Sequence, residues 1–211
     1  PAPGRIPLPT AHGHVVYTKP MDTHPAAALF PLLEGAAFDA LATDIATHGL
    51  RVPIMMHPDG RLLDGRNRDR ACAAVGVMPT YETWTGELGR EVDYVISLNL
   101  ARRHLDESQR AMVAARLATL PRGRKDTNAP IGAFNQPEAA DRLNVSRRSV
   151  QRARVVLAQG IPALIAAVDQ GTLPVSESST LAKLPVDAQA AVLAQVQAGV
   201  KVRQATRAAS R

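Results

Sequence analysis

Three arginines alternate at positions 66, 68 and 70, directly after Asp64 and Gly65. A short apolar run ends at Asp64, and residues with helical spacing begin after the glycine. Glycine permits the tight turn that joins a strand to a helix. The first N–H groups of that helix have no intrahelical partner, so together with guanidinium groups they favour an anion, most simply a phosphate. A solvated basic face at a helix start is the alternative interpretation.

A second polar stretch contains Asn99, Arg102 and Arg103. Placed beside Gly65, the two guanidinium groups would add phosphate contacts, and the amide oxygen of Asn99 would suit a magnesium ion. Basic residues that satisfy the last carbonyls of a helix explain this stretch equally well.

The third pattern predicts a helix over residues 136–143, a turn at 144–145 and a second helix over 146–158. Ser146 is a good N-cap for the second helix. Apolar residues at helical spacing predict a buried face on each helix, formed by Ala139, Ala140, Leu143, Val150, Ala153 and Leu157. This arrangement is typical of a helix-turn-helix.

The other face of the second helix is basic and polar. Arginine and glutamine near the start of a recognition helix can read guanine and adenine edges in the major groove, while flanking arginines bind phosphates. The residues predicted to bind DNA are Ser146, Arg147, Arg148, Ser149, Gln151, Arg152 and Arg154. An ordinary helical hairpin with a solvated basic face is the alternative.

The charge distribution is uneven. The chain of 211 residues has a formal net charge of +6. Residues 1–98 contain 8 basic and 11 acidic side chains, whereas residues 99–211 contain 17 basic and 8 acidic ones. Basic charge in one half is typical of a nucleic-acid-binding region, although a merely soluble basic surface has the same composition.

Composition excludes several other classes of protein. A single cysteine, Cys72, rules out an internal disulfide and a multi-cysteine zinc site, and nothing marks it as an activated thiolate, so we expect a small buried hydrophobe. His12 and His14 lie in a stretch predicted to be disordered, and the other histidines show no metal-ligand spacing: His24, His48, His57 and His104. No apolar run is long enough to cross a bilayer and no secretory signal is visible, so we expect a cytoplasmic protein without a membrane partner.

Periodicity and turn residues predict four regions: a disordered arm over 1–20, a small α/β domain over 21–120, a basic linker over 121–134 and a helical domain over 135–211. In the first domain the predicted helices are 36–48, 65–75, 87–99 and 106–120, and the predicted strands are 52–57, 61–64 and 79–84. In the second the further predicted helices are 161–169, 175–183, 187–198 and 201–209.

Both polar stretches of the first domain resemble nucleotide motifs of the ParB family of plasmid and chromosome partition proteins. The first motif, Gly-Glu-Arg-Arg-x-Arg-Ala, matches residues 65–71, except that Arg66 replaces the glutamate and Asn67 the first arginine. The second, Glu-Asn-x-x-Arg, matches residues 98–102, except that Leu98 replaces the glutamate. The resemblance extends over roughly residues 22–209.

The resemblance implies an α+β fold, with a small mixed α/β ParB/sulfiredoxin-like domain followed by an all-α helix-turn-helix domain. It implies binding of CTP with Mg²⁺ and closure as a clamp on double-stranded DNA, with a partition ATPase as a partner. A recognition helix usually acts as one of a pair, so we expect a homodimer on a palindromic site. The implied nucleotide-binding residues are Gly65, Arg66, Asn67, Arg68, Arg70, Asn99, Arg102 and Arg103, with Asn99 at the metal.

The departures from the motifs predict a weakened, altered or lost nucleotide site. In the family the second-motif glutamate is associated with hydrolysis, and Leu98 can neither hold a metal nor orient a water. We therefore expect no catalysis or only slow CTP hydrolysis. A ParB-like transcription regulator without nucleotide switching is one alternative. A nucleotide-hydrolysing or DNA-cleaving enzyme of the same fold is another, which the closeness of Asp64 and Asp69 leaves open.

Overall fold

The computed structural model describes residues 21–102, 105–120 and 134–209, without the side chains of residues 101, 102, 208 and 209. Its fold is α+β, as predicted, with a three-stranded mixed sheet in the first half and helices throughout the second. The elements are a 3₁₀ turn (Ala27–Leu29), α1 (Gly35–His48), β1 (Ile54–Met56), β2 (Leu62–Asp64), α2 (Arg66–Val75), β3 (Tyr81–Thr83), α3 (Glu91–Arg102), α4 (Glu107–Leu117), α5 (Gln136–Arg142), α6 (Arg147–Gln159), α7 (Pro162–Asp169), α8 (Val175–Leu181), α9 (Val186–Gln197) and α10 (Val202–Ala209).

The sheet has the order β2-β1-β3, with β1 antiparallel to β2 and parallel to β3. Its strands are shorter than predicted. Pro53 has no N–H to offer the sheet, and β1 begins directly after it. At the other end the His57 N–H bonds to the Arg61 carbonyl at 2.7 Å and closes the β1–β2 hairpin.

Helix α2 follows β2 through the predicted turn at Gly65, which has left-handed angles with φ 104°. It ends at Gly76, which is also left-handed. Its inner face packs Ala71 and Cys72 against Ile45 of α1. The start of α2 therefore lies at the end of β2, where the sequence predicts the anion site.

Helix α4 lies at the centre of the helical part. Its residues 111–115 and Leu117 are completely buried, and it packs against α5, α6, α7 and α8. Arg116 of α4 also forms a two-pronged ion pair with Asp169 of α7, at 2.9 and 2.5 Å. One apolar core continues from Ala26 to Val175, through both halves of the chain.

The predicted arm lies outside the described residues, and so does the predicted linker apart from Phe134. The division of the chain into two domains at that linker therefore stays a prediction.

Candidate nucleic-acid interface and nucleotide cleft

A short turn joins α5, which ends at Arg142, to α6, which begins at Arg147. Asn144 adopts left-handed backbone angles, with φ 49°, which asparagine tolerates better than most residues. The Ser146 hydroxyl then accepts a hydrogen bond from the Ser149 N–H at 3.0 Å and caps α6 as predicted. The turn and the cap together fix the first residues of α6 relative to α5.

One face of α6 anchors it to the core. Val150, Ala153 and Val156 are completely buried along this face. Ser149 is also buried, and its hydroxyl donates to Glu107 Oε1 of α4 at 2.8 Å. Ser149 therefore holds α6 on α4, and its hydroxyl is not presented on the surface that the sequence predicts to bind DNA.

The opposite face of α6 presents long hydrogen-bond donors to solvent. Arg147, Gln151 and Arg154 share a row, because residues three and four apart lie on the same side of a helix, and all three are exposed. Arg148 is exposed beside them, and Arg152 is half-buried. Within the described parts of the chain, none of these arginines has a hydrogen-bond or ion-pair partner. Their donors are available to a ligand.

A groove between α6 and α8 extends this basic face. Arg148, Gln151 and Arg152 line one side, and Thr180 and Lys183 line the other. No carboxylate is among the described residues that line the groove. Sequence reasoning did not assign Lys183 to the interface, because only the packing of α8 on α6 brings it there.

A small cleft lies where β2 passes into α2. It is lined by residues 64–68 and by Phe30, Val95 and Asn99, with a volume of about 120 Å³. A Cβ on Gly65 would lie only 3.0 Å from a terminal nitrogen of Arg68, so the Arg68 side chain covers the turn. The structure thus brings most of the predicted nucleotide-binding residues to one place.

Three of those residues are occupied in holding the segment that precedes α1. Arg66 donates to the Phe30 carbonyl at 2.7 Å, and Arg70 donates to the Leu33 carbonyl at 3.0 Å. The Asn67 side-chain oxygen accepts from the Leu33 N–H at 2.9 Å. These three side chains therefore hold the segment before α1 against α2.

Arg68 has a similar set of protein acceptors. One terminal nitrogen donates to the carbonyls of Val52 and Pro53, both at 2.8 Å, and the other donates to Asp64 Oδ2 at 2.7 Å. The side-chain nitrogen of Asn99 lies 3.5 Å from the second oxygen of Asp64. Asp64 thus places a carboxylate in the cleft.

In this conformation the cleft does not fit a nucleoside triphosphate. Ligand pockets in proteins usually have volumes of about 300–1,000 Å³, several times that of this cleft. The Asp64 carboxylate would also repel phosphates. Asn99, which donates to the Val95 carbonyl at 2.9 Å, stays a predicted magnesium ligand. Arg103 and the side chain of Arg102 lie outside the described residues.

Cys72 is completely buried, as predicted. Burial raises the pKa of its thiol, which is opposite to the shift that activates a cysteine nucleophile. The prediction that Cys72 acts as a small hydrophobe is confirmed.

The alternative of an enzyme of the same fold depends on two carboxylates, Asp64 and Asp69, and these have different partners. Asp64 faces Arg68, whereas Asp69 is buried and accepts a hydrogen bond from the Tyr81 hydroxyl at 3.0 Å. Burial raises the pKa of Asp69 above its ordinary value. This arrangement does not resemble a carboxylate pair that shares one ion.

None of the helices in the described parts of the chain has the length and apolar composition that crossing a membrane requires. The sequence matches no family model and no curated protein sequence.

Two solved structures of the chromosome-partitioning protein ParB from Caulobacter crescentus, both C-terminally truncated, are similar to this chain. The first is complexed to the centromeric parS site; it is 17% identical, with a TM-score of 0.40, and the match covers 85% of this chain and 90% of that one. The second is complexed with CTP-γ-S; it is 18% identical, with a TM-score of 0.31, and the match covers 73% and 83%.

Proposed function

We propose that this chain is a sequence-specific DNA-binding protein of ParB type that acts in plasmid or chromosome partition in the cytoplasm. The observation that carries the proposal is the exposed row of Arg147, Gln151 and Arg154 on α6, whose arginines have no protein partner within the described residues. The assignment to partition rests on the ParB-like motifs around Gly65 and Asn99.

The row suits the major groove of double-stranded DNA. The groove accepts an α-helix, and the residues of its first turns reach the base edges. Arg147, Arg148 and Gln151 lie in those turns of α6. The capped turn at Ser146 holds them in position, so a base-specific contact needs little reorganisation of the protein.

The groove between α6 and α8 would bind the DNA backbone. Arg152 and Lys183 lie on opposite sides of it, and cations at such a place contact phosphates without reading sequence. Since recognition helices usually act in pairs, the proposed target is a palindrome bound by two copies of the chain, with a partition ATPase as a further partner.

A ParB-like transcription regulator without nucleotide switching is the second candidate, and the cleft at Gly65 favours it. Arg66, Arg68 and Arg70 each donate to protein oxygens, and the cleft of about 120 Å³ is smaller in this conformation than most ligand pockets. In such a protein the residues that resemble the nucleotide motif stabilise the first domain. No comparable observation favours an enzyme.

Selection of bound duplexes from a random pool tests the DNA-binding proposal. The full chain should enrich one palindromic sequence, and its affinity should fall steeply with salt because phosphate contacts release counterions. Enrichment of no sequence, with equal affinity for all duplexes, would contradict specific recognition.

Calorimetry with CTP, ATP and GTP, each with Mg²⁺ and with and without the selected duplex, separates the two candidates. Selective CTP binding supports a partition clamp in which the cleft widens to admit the nucleotide. Absence of heat with all three nucleotides, while DNA binding persists, supports the regulator.

A further inference from the structure

Two histidines that are distant in the sequence lie next to each other in the fold. His24 precedes the 3₁₀ turn, and His57 follows β1. Their rings lie 4.7 Å apart between centroids, and both residues are buried, with 1% and 3% exposed. The spacing of the histidines in the sequence gives no indication of this pair.

A third ligand group joins the histidines. One ring nitrogen of each histidine and a carboxylate oxygen of Asp59 lie within 4.8 Å of one another. We propose that His24, His57 and Asp59 form a binding site for a divalent transition-metal ion, with Zn²⁺ as the ion that the site prefers.

The donor set suits Zn²⁺. Two imidazole nitrogens and one carboxylate oxygen are common ligands of zinc, and a fourth position can hold water. Asp59 is 34% exposed, so an ion has access to the site from its side. The Arg61 side chain donates to Asp59 Oδ2, whereas Oδ1 accepts from the Arg61 backbone N–H at 3.0 Å and lies 2.8 Å from His57 Nδ1.

Glu91 supplies the second, independent observation. The Nε2 atom of His57 is buried and has no hydrogen-bond partner within the described residues, and Glu91 Oε1 lies 3.4 Å from it. A neutral imidazole that ligates a metal through Nδ1 carries its proton on Nε2, and a carboxylate commonly accepts that proton. A bound ion would draw His57 and Glu91 into this hydrogen bond and satisfy the buried nitrogen.

The backbone holds the ligands in position without the ion. The His24 N–H donates to the Leu62 carbonyl at 2.9 Å, and the Gly60 N–H donates to the His57 carbonyl at 2.9 Å in the hairpin turn. The ring nitrogen Nδ1 of His24 accepts a long hydrogen bond of 3.3 Å from Ala26, which an ion at that nitrogen would replace at small cost. Binding therefore needs mainly a closer approach of the three side chains.

Titration of the full, chelator-treated chain with Co²⁺ tests the site, because four-coordinate Co²⁺ has visible absorption bands. We expect one equivalent to bind with those bands, and Zn²⁺ to displace it and raise the melting temperature. His24→Gln or Asp59→Asn should abolish the bands, and Glu91→Gln should weaken binding about 10–100-fold. Because Asp59 is partly exposed, we expect Asp59→Asn to fold, so that a loss of the bands in this variant reports on metal binding.

The matched controls are His48→Gln and the double variant His12→Gln with His14→Gln. His48 Nδ1 lies 2.8 Å from Asp44 Oδ1 on the surface, and this histidine–carboxylate pair has no third ligand group among the described residues. Both controls should bind Co²⁺ as the unmodified chain does. Less than one equivalent bound, bands that persist in folded Asp59→Asn, or bands lost in either control would overturn the proposal.

Discussion

The arginines of α2 and those of α6 differ in what they contact, although both helices are rich in them. Every arginine of α2 donates to a protein carbonyl or carboxylate: Arg66 to Phe30, Arg68 to Asp64 and Arg70 to Leu33. Within the described residues, the arginines of α6 have no such partner. An alternating basic pattern at a helix start can therefore bind neighbouring protein oxygens instead of an anion.

The cause of the difference lies in the neighbouring backbone. Helix α2 adjoins the irregular segments 30–34 and 52–53, whose carbonyls need hydrogen-bond donors. Arginine has five N–H donors in a fork, so one side chain can satisfy two carbonyls at once, as Arg68 does. Among the described residues, the outer face of α6 adjoins the edge of α8, and the α8-side residues of the groove between them are small or basic.

The largest expected effect comes from removing both arginines at the start of α6. Arg147→Ala with Arg148→Ala should lower affinity for the selected duplex by about 100-fold or more, since base-specific arginine contacts are worth about 1–3 kcal/mol each. Thermal unfolding should not change, because both side chains are exposed and without partners in the described chain.

Arg51→Ala is the matched control for that double variant, because Arg51 is an exposed arginine of the first half. Its DNA affinity should match that of the unmodified chain. If the α6 double variant kept full affinity, the contrast between the two helices would have no functional meaning.

The second prediction concerns stability. Arg68→Ala should lower the free energy of unfolding by about 2–4 kcal/mol, because it leaves the half-buried Asp64 carboxylate and two carbonyls without their donor. Urea denaturation measures this change. Arg68→Lys should lose less, since a lysine can pair with Asp64 but cannot fork to the carbonyls.

A nucleotide role for Arg68 predicts the reverse pattern. Arg68→Ala would then unfold at the same urea concentration as the unmodified chain and would lose CTP binding in calorimetry. That result would contradict the structural role of the α2 arginines and support the nucleotide-binding role that the family motif implies.

Local patterns in the sequence were sufficient to locate the helices. The predicted helix 65–75 is observed as Arg66–Val75, because glycines with left-handed angles bound it at both ends. The two helices α5 and α6 were equally predictable, since Ser146 and the apolar residues of α5 and α6 act within a few residues of one another.

Contacts between distant segments could not be predicted from those patterns. Nothing local indicates that Arg66 contacts the Phe30 carbonyl, that Lys183 lines a groove with Arg148 or that His24 lies next to His57. These pairs form because the hairpin, the loop before α1 and α8 pack where they do. Five of the predicted nucleotide-binding residues line the cleft at Gly65, while what they bind stays a prediction.

The third prediction separates packing from recognition on α6 itself. Ser149→Ala should lower the free energy of unfolding by about 1 kcal/mol, because it removes the hydrogen bond to Glu107. DNA affinity of the folded variant should stay unchanged. A double-mutant cycle with Glu107→Ala measures the coupling of the two residues. Additive effects would show that their hydrogen bond contributes nothing to stability, and a selective loss of DNA binding would show that Ser149 contacts DNA.

The smallest effect is expected at the end of the arginine row. Arg154 lies two turns from the start of α6, beyond the residues that reach base edges, so its exposed side chain should contact phosphate alone. Arg154→Ala should weaken binding a few-fold, equally for specific and random duplexes, and lower the slope of log affinity against log salt by about 1. Gln151→Ala is the matched comparison from the same row: it should leave the salt slope unchanged and reduce discrimination at one base pair. If Arg154→Ala instead altered the preferred sequence, the later turns of α6 would also reach base edges. The difference from the arginines of α2 would then hold for the whole length of α6.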